Sequence, residues 1–285
     1  MRKSHLFLLI LLLSSCNVLK TINGVETKVD EDFFQNSSNQ SFDLDDSLFG
    51  FWRFEEALSG NASLFSQINS REITDAETMG GGVGRISGSH NQALDCFSAT
   101  GLGGTNQMLK TVDTFSKSAL SSFSLSVWIQ KGGTCSTTNE PVFSTKGLEV
   151  NIFSPGSCNS ATYDFVEVRS REDAVNNSDA LNYGTSMFST SSSWHHLVIN
   201  FTRESSTWDY DIYFDNSFLN SGSVTNYNEG NSYITLCERY NGYSHGVDPT
   251  LGRFRGNIDS FGLWSRKLSV GEIDKLYSGN NNLDQ

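Results

Sequence analysis

The first residues whose type invites chemistry are the adjacent histidines His195 and His196. Imidazoles ligate metals, but neighbouring side chains on a strand point to opposite faces. The pair is therefore expected to pack and hydrogen-bond beside Trp194 and not to share an ion. A second set, Asp209, Asp211 and Asp215, lies within WDYDIYFD. Two carboxylates at i and i+2 could approach the ~5–5.5 Å separation of a retaining glycosidase. They alternate, however, with Trp208, Tyr210, Ile212 and Phe214, the pattern of a solvated face backed by a buried one. Aspartates on such a face stay ionised, whereas a glycosidase needs one carboxyl with a raised pKa. No catalytic residue is assigned. Gly80-Gly81-Gly82-Val83-Gly84 lacks the Lys-Ser/Thr of a phosphate loop and opens no helical pattern, so it is a plain loop. The segment 226–247 is dense in aromatics and amides. Tyr240, Tyr243 and His245 follow a predicted strand there, and tyrosine rings can stack on sugar faces while their hydroxyls stay wet. The alternative is a tyrosine-rich loop that packs on itself.

Five cysteines remain to be placed. Arg2, Lys3 and His5 precede an apolar run, Leu6 to Leu13, far shorter than the ~20 residues that span a bilayer as a helix. This is the form of a signal peptide. It runs into Leu13-Ser14-Ser15-Cys16, which resembles the bacterial lipobox, whose cysteine is lipidated and becomes the new N-terminus. Several acyl chains anchor stably where one alone is marginal. Asn17 is not the aspartate that retains lipoproteins at an inner membrane, so an outer membrane or cell surface is expected. The remaining four, Cys96, Cys135, Cys158 and Cys237, are an even number in an exported chain, with three pairings open. Cys135–Cys158 is favoured because the two bracket a predicted hairpin around PVFSTKGLEVNIF, and Cys96–Cys237 follows from it. A loop of about 20 residues closed in this way contributes roughly 3 kcal/mol in the chain-entropy picture.

The bulk composition narrows the partners. The 285-residue chain carries a formal net charge of −12, and cleavage of the leader would leave it more acidic still. Nucleic-acid affinity rests on neutralising phosphates with Lys and Arg, so no nucleic-acid partner is expected. Residues 1–15 are assigned to the signal peptide, 16–46 to a flexible tether rich in Asn, Ser and Asp, and 47–285 to one domain.

The elements that must position these residues are strands. FGFWRF (49–54), SLSVWIQ (124–130), DFVEVRS (164–170), HHLVINFT (195–202) and WDYDIYF (208–214) are separated by Gly/Ser/Asn clusters. Leu125, Val127 and Ile129 share one face of their strand, with Ser124, Ser126, Trp128 and Gln130 on the other. Asp215-Asn216 is a predicted hairpin turn, since both types tolerate positive φ. One helix is expected over SVGEIDKLYS. Ser269 is its N-cap, Glu272 completes a capping box, Leu268 and Ile273 form a hydrophobic staple, and Gly279 stops it. Ile273 with Leu276 or Tyr277 should be buried.

GNIDSFGLWSRKLSVGEIDKLY (256–277) resembles the closing motif of laminin-G-like, concanavalin A-like jelly rolls. FWRFEEA (51–57), SLSVWIQ (124–130), SSWHHLVINF (192–201) and IYFDNSFLNSG (212–222) resemble further blocks of that family in order, covering about 48–280. The resemblance implies an all-β fold: two antiparallel sheets of six or seven strands in a jelly-roll sandwich, with one short C-terminal helix. It also implies a structural calcium where the first and last strands meet, with Asp259 and Glu55 as ligands. The competing role for Asp259 is to hydrogen-bond backbone amides and order the final turn. The Glu-x-Asp-x-x-Glu strand of the family's glucanases is absent. A fold of this kind hosts many functions. The expectation is a non-catalytic surface lipoprotein of the bacterial envelope that binds glycan or extracellular-matrix protein through sandwich loops. The alternatives are an envelope assembly component and, less well supported, a glycan hydrolase.

Overall fold

The computed structural model describes residues 20–22, 25–27, 47–54, 64–65, 72–75, 84–89, 91–96, 109–111, 113–131, 140–153, 165–171, 178–184, 193–226, 230–237 and 254–279. The chain falls into two units, Met1–Asp43 with Asn282–Gln285, and Leu44–Asn281. In the first, β1 (Lys20–Ile22) and β2 (Val25–Thr27) pair antiparallel, with Ile22 opposite Val25. This register leaves a two-residue connection of sequence Asn23-Gly24, a dipeptide suited to tight hairpin turns. The hairpin falls inside the segment expected to be a tether. Cys16 and the signal peptide lie outside the described residues.

Among the described residues the second unit is all β apart from one α-helix and a single 3-10 turn at Lys117–Ala119. Its early strands are β3 (Leu48–Trp52), β4 (Leu64–Phe65), β5 (Glu72–Asp75), β6 (Gly84–Gly88), β7 (Asn91–Asp95) and β8 (Leu109–Thr111). The central ones are β9 (Ser122–Lys131), β10 (Glu140–Thr145), β11 (Leu148–Phe153), β12 (Phe165–Arg171) and β13 (Ser178–Gly184). The last are β14 (Trp194–Glu204), β15 (Thr207–Phe214), β16 (Ser217–Thr225), β17 (Thr235–Leu236) and β18 (Gly256–Trp264), before α1 (Val270–Ser278). One antiparallel sheet runs β13-β12-β11-β10-β17-β8-β5-β4, and the other runs β16-β15-β14-β9-β18-β7-β6. In the second sheet β18 divides one edge between β7, at Asn257 and Ile258, and β3, from Phe261 to Trp264. Among the described residues each sheet has eight strands, more than the six or seven the resemblance implies. In the first sheet the short pieces β4, β5 and β17 account for the excess; two to four residues are too few to print a period-2 pattern.

Between the sheets lies the core expected from alternation. Leu125, Val127, Ile129, Leu197, Ile199, Phe201, Trp208 and Ile212 from one sheet pack with Val150, Ile152, Val166 and Val168 from the other. Phe123 stacks on Phe201 with ring centroids 4.5 Å apart and meets Trp208 edge-on at 5.1 Å. Such ring pairs add about 0.5–1.5 kcal/mol beyond their buried area. The Asp215-Asn216 turn is present, with φ of 46° and 62° and Phe214 opposite Ser217.

Part of the outward face of the second sheet is covered by α1 and the segment that leads into it, so that Ser124, Ser126, His196 and Asn200 are buried there. Ser269 caps α1 through a complete capping box with Glu272, and Gly279 ends it at φ 68°. Ile273 and Leu276 are buried, whereas Tyr277 is 38% exposed. The Tyr277 ring instead lies parallel to Trp128 at 5.7 Å. The approach to the helix is tied down by Asn200: its Nδ2 donates to the Leu268 carbonyl at 2.9 Å, and its Oδ1 accepts from the Leu268 N–H at 3.1 Å. Ser124 Oγ donates to the same Oδ1 at 2.5 Å. Ser124 and Asn200 are thus buried polar groups with partners supplied, which is what makes their burial tolerable.

Candidate functional site

The two histidines serve different faces. His196 is buried, places Nε2 2.8 Å from Ser126 Oγ, and stacks on Trp128. His195 stacks on Phe214 and meets Asp215 Oδ2 through Nδ1 at 2.8 Å. Asp215 Oδ1 accepts the His196 backbone N–H at 2.9 Å. Burial pushes the Asp215 carboxyl up, but the His195 hydrogen bond, the His196 N–H and the imidazoles outweigh it and hold the pKa below its ordinary value. Asp211 pairs with Lys267, and Asp209 is exposed on the same strand. The histidines do not share a site; Asp211 and Asp215 fasten β15 and the turn after it to their surroundings, and Asp209 does not.

The polar group that sequence reasoning passed over stands on the other sheet. β11 and β12 pair so that Glu149 is opposite Arg169 and Asn151 opposite Glu167. Val150, Ile152, Val166 and Val168 face the core, which turns Glu149, Asn151, Glu167 and Arg169 to the outward face. Glu149, Asn151 and Glu167 are nevertheless only 3%, 0% and 1% exposed. Asn151 Nδ2 donates to Glu167 Oε2 at 3.2 Å and reaches Glu149 Oε2 at 3.5 Å. Arg169 donates to Glu167 Oε1 at 3.0 Å. Burial pushes the Glu167 carboxyl above its ordinary value, and the charge of Glu149 adds to that push; Arg169 and Asn151 oppose it. The only signal in the sequence is alternation in LEVNIF and FVEVR, which marks a polar face and not a covered one.

At the junction of the sheets, Cys96 and Cys237 form the expected disulfide, with Cα atoms 5.5 Å apart and both residues buried. Cys96 follows β7 of one sheet and Cys237 follows β17 of the other. The Phe254 N–H donates to the Cys237 carbonyl at 3.0 Å, and the Arg255 N–H donates to the buried carboxylate of Glu140 at 3.1 Å. Residues 238–253 therefore depart from and return to one point. Tyr240, Tyr243 and His245 belong to that segment and lie outside the described residues, as do Cys135, Cys158 and Glu55.

Asp259 is fully buried on β18, beside a register irregularity and beside Ser260, whose φ is 49°. Its Oδ1 accepts from Ser260 Oγ at 3.2 Å. Its Oδ2 lies against Gly88, where a Cβ would come within 2.6 Å of it. Only a glycine leaves that space. Among the described residues no three His, Cys, Asp or Glu side chains converge as a metal group.

No protein-family model and no curated protein sequence matches the chain. Solved structures do resemble it. The binding domain of paraclostridial mosquitocidal protein 1 has a TM-score of 0.51 at 13% identity, covering 83% of this chain and 53% of that one. The botulinum neurotoxin type G receptor binding domain has a TM-score of 0.52 at 12% identity, covering 82% and 51%. The binding domain of botulinum neurotoxin serotype D/C has a TM-score of 0.52 at 14% identity, covering 82% and 52%. The chain spans about half the length of these domains. The likeness is one of fold: a jelly-roll sandwich of the kind found in receptor-binding domains.

Proposed function

We propose that this chain is a non-catalytic, lipid-anchored surface lipoprotein of a bacterial envelope that binds glycan or extracellular-matrix protein through loops of the sandwich. The observation that carries the reading is the root of the 238–253 segment. A buried disulfide, the Phe254–Cys237 hydrogen bond and the Glu140–Arg255 hydrogen bond hold its two ends at one place. Binding residues concentrate on loops held by a rigid scaffold, and this segment carries Tyr240, Tyr243 and His245. The likeness to receptor-binding domains supports a binding role, and the engagement of Asp211 by Lys267 and of Asp215 by His195 and the His196 N–H argues against their service as a hydrolytic pair. A calcium ion held by Asp259 and Glu55 belongs to the same reading and would brace the first and last strands.

A tyrosine platform gives weak single-site affinity, near millimolar or about 4 kcal/mol; many anchored copies on one surface convert this into avidity. The test is retention of the full chain on glycan arrays and matrix-protein coatings, run with calcium and with chelator. Binding should be lost in Tyr240→Ala/Tyr243→Ala while the melting temperature drops by no more than a few degrees. Absence of binding to every glycan and matrix surface in both arms would overturn the reading. Binding unchanged in the double variant would move the ligand away from this loop.

A further inference from the structure

We propose that the outward face of β15 and β16, alongside α1, is a binding site for a neutral, hydroxyl-rich sugar, with the rings of Tyr213 and Phe218 as its apolar floor. This site rests on the glycan reading of the function and is built from residues other than the 238–253 segment. The first observation is exposure. Phe218 is 59% and Val270 62% exposed, the two highest values for large apolar side chains among the described residues. Single apolar side chains on a surface are ordinary; several gathered in one place mark a contact site.

Strand register and helix spacing gather them. Between β15 and β16 the register skips Leu219, which packs against the core, and so brings Phe218 opposite Tyr213. Bulges of this kind re-aim side chains. The two rings meet edge-on with centroids 5.6 Å apart. Tyr213 and Asp211 share the outward face of β15, because they alternate with Tyr210 and Ile212 of the core. From α1, Asp274 reaches the same side: its Oδ1 accepts from Asn216 Nδ2 at 2.7 Å, in the turn after β15. Val270 stands four residues before Asp274 and therefore on the same face of the helix. Just ahead of the helix, Lys267 pairs with Asp211. Two polar bridges thus run from the α1 side to Asp211 and Asn216, and Tyr213 lies between those two along the chain.

The chemistry of the rim selects the ligand. Lys267, Asn216 and the Tyr213 hydroxyl are donors, and Asp211 and Asp274 are acceptors. A sugar hydroxyl both donates and accepts, and a pyranose ring lays an apolar C–H face on an aromatic ring whose polar neighbours stay wet. An anionic ligand would meet the carboxylates of Asp209, Asp211 and Asp274. A second copy of the chain would bring those same carboxylates and its own net charge of −12, setting like charges face to face. A neutral sugar meets neither penalty. Strand positions also hold side chains more closely than a loop does, which suits a small ligand.

The experiment is retention of the full chain on an array of neutral hexose oligosaccharides, with sialylated and sulfated ones and matrix proteins beside them. Wild type, Phe218→Ala and Tyr240→Ala/Tyr243→Ala are compared, and wild type is titrated with the best-retained neutral oligosaccharide while NMR follows the Tyr213 ring. Neutral oligosaccharides should hold the wild type, and the Tyr213 ring resonances should shift on titration. Phe218→Ala should raise the half-saturating concentration about tenfold, the scale of one lost ring contact. Retention by acidic glycans or matrix proteins alone would overturn this site and leave the proposed function standing. So would neutral retention that is lost in Tyr240→Ala/Tyr243→Ala while Phe218→Ala and the Tyr213 ring show no change. Retention by no surface at all would overturn both readings. Self-association of the wild type that Phe218→Ala disperses, read by sedimentation, would make the patch a contact between copies instead. If Phe218→Ala does not fold, the Tyr213 ring shift in the wild type decides the matter.

Discussion

At the scale of single residues, Asp215 shows how a turn is held by charge. Its φ of 46° is a conformation that Asn tolerates as well as Asp does, so Asp215→Asn removes the charge without adding backbone strain. The carboxyl is held below its ordinary value of 3.8. A depressed carboxyl contributes stability that is present above the unfolded value and lost as pH falls through the folded one. Asp215→Asn should therefore cost about 1–2 kcal/mol at neutral pH, the usual worth of a charged hydrogen bond discounted for partial exposure. It should cost progressively less below about pH 4. Chemical denaturation at neutral and acid pH checks both; an equal loss at the two would show that the turn is not held by charge. His195 and His196 illustrate the same scale from the other side. Their adjacency in sequence suggests a pair, but the pleat sends one to Phe214 and Asp215 and the other to Ser126 and Trp128.

At the scale of elements, α1 carries most of its own specification. Ser269 Oγ accepts the Glu272 N–H at 3.3 Å, Glu272 Oε2 accepts the Ser269 N–H at 2.7 Å, and Arg266 grips Glu272 through both guanidinium nitrogens at 3.0 and 2.6 Å. Burial raises the Glu272 carboxyl, but Arg266 and Ser269 outweigh it and leave it below its ordinary value. Ser269→Ala should destabilise the protein by about 1 kcal/mol, the common cost of a lost N-cap, with the loss read as a lower urea midpoint at unchanged slope. Tyr277 would then report locally: its ring lies on Trp128, so tryptophan fluorescence should change along with the cap. A midpoint identical to wild type would mean that the Asn200 tie and the buried Ile273 and Leu276 hold the helix without its cap.

At the scale of the whole molecule, a disulfide between the ends of two sheets and a helix laid over one of them make the sandwich a rigid support. The proposed anchor at Cys16 would carry it on a membrane surface. Labelled palmitate fed to the native host should enter the protein, and Cys16→Ala should abolish the labelling. Label retained in that variant would show that attachment occurs elsewhere. Among the described residues no helix is long and apolar enough to cross a membrane.

The sequence by itself determined whatever depends on neighbours along the chain. Alternation in β9 and β15 named the core-facing residues, two residues tolerant of positive φ named the turn after Phe214, and the Ser269–Glu272 spacing named the helix and its cap. The short strands β4, β5 and β17 escaped because so few residues carry no period. Only the tertiary structure decided which polar faces are covered. Ser124 and Asn200 look solvated in the sequence and are buried beneath the helix approach; Glu149, Asn151 and Glu167 look like an outer face and are shut away from water. The reason is physical. Periodicity reports that two faces of a strand differ, but burial of the polar one depends on what distant segments lie across it, and that burial is the main cause that raises the Glu167 carboxyl.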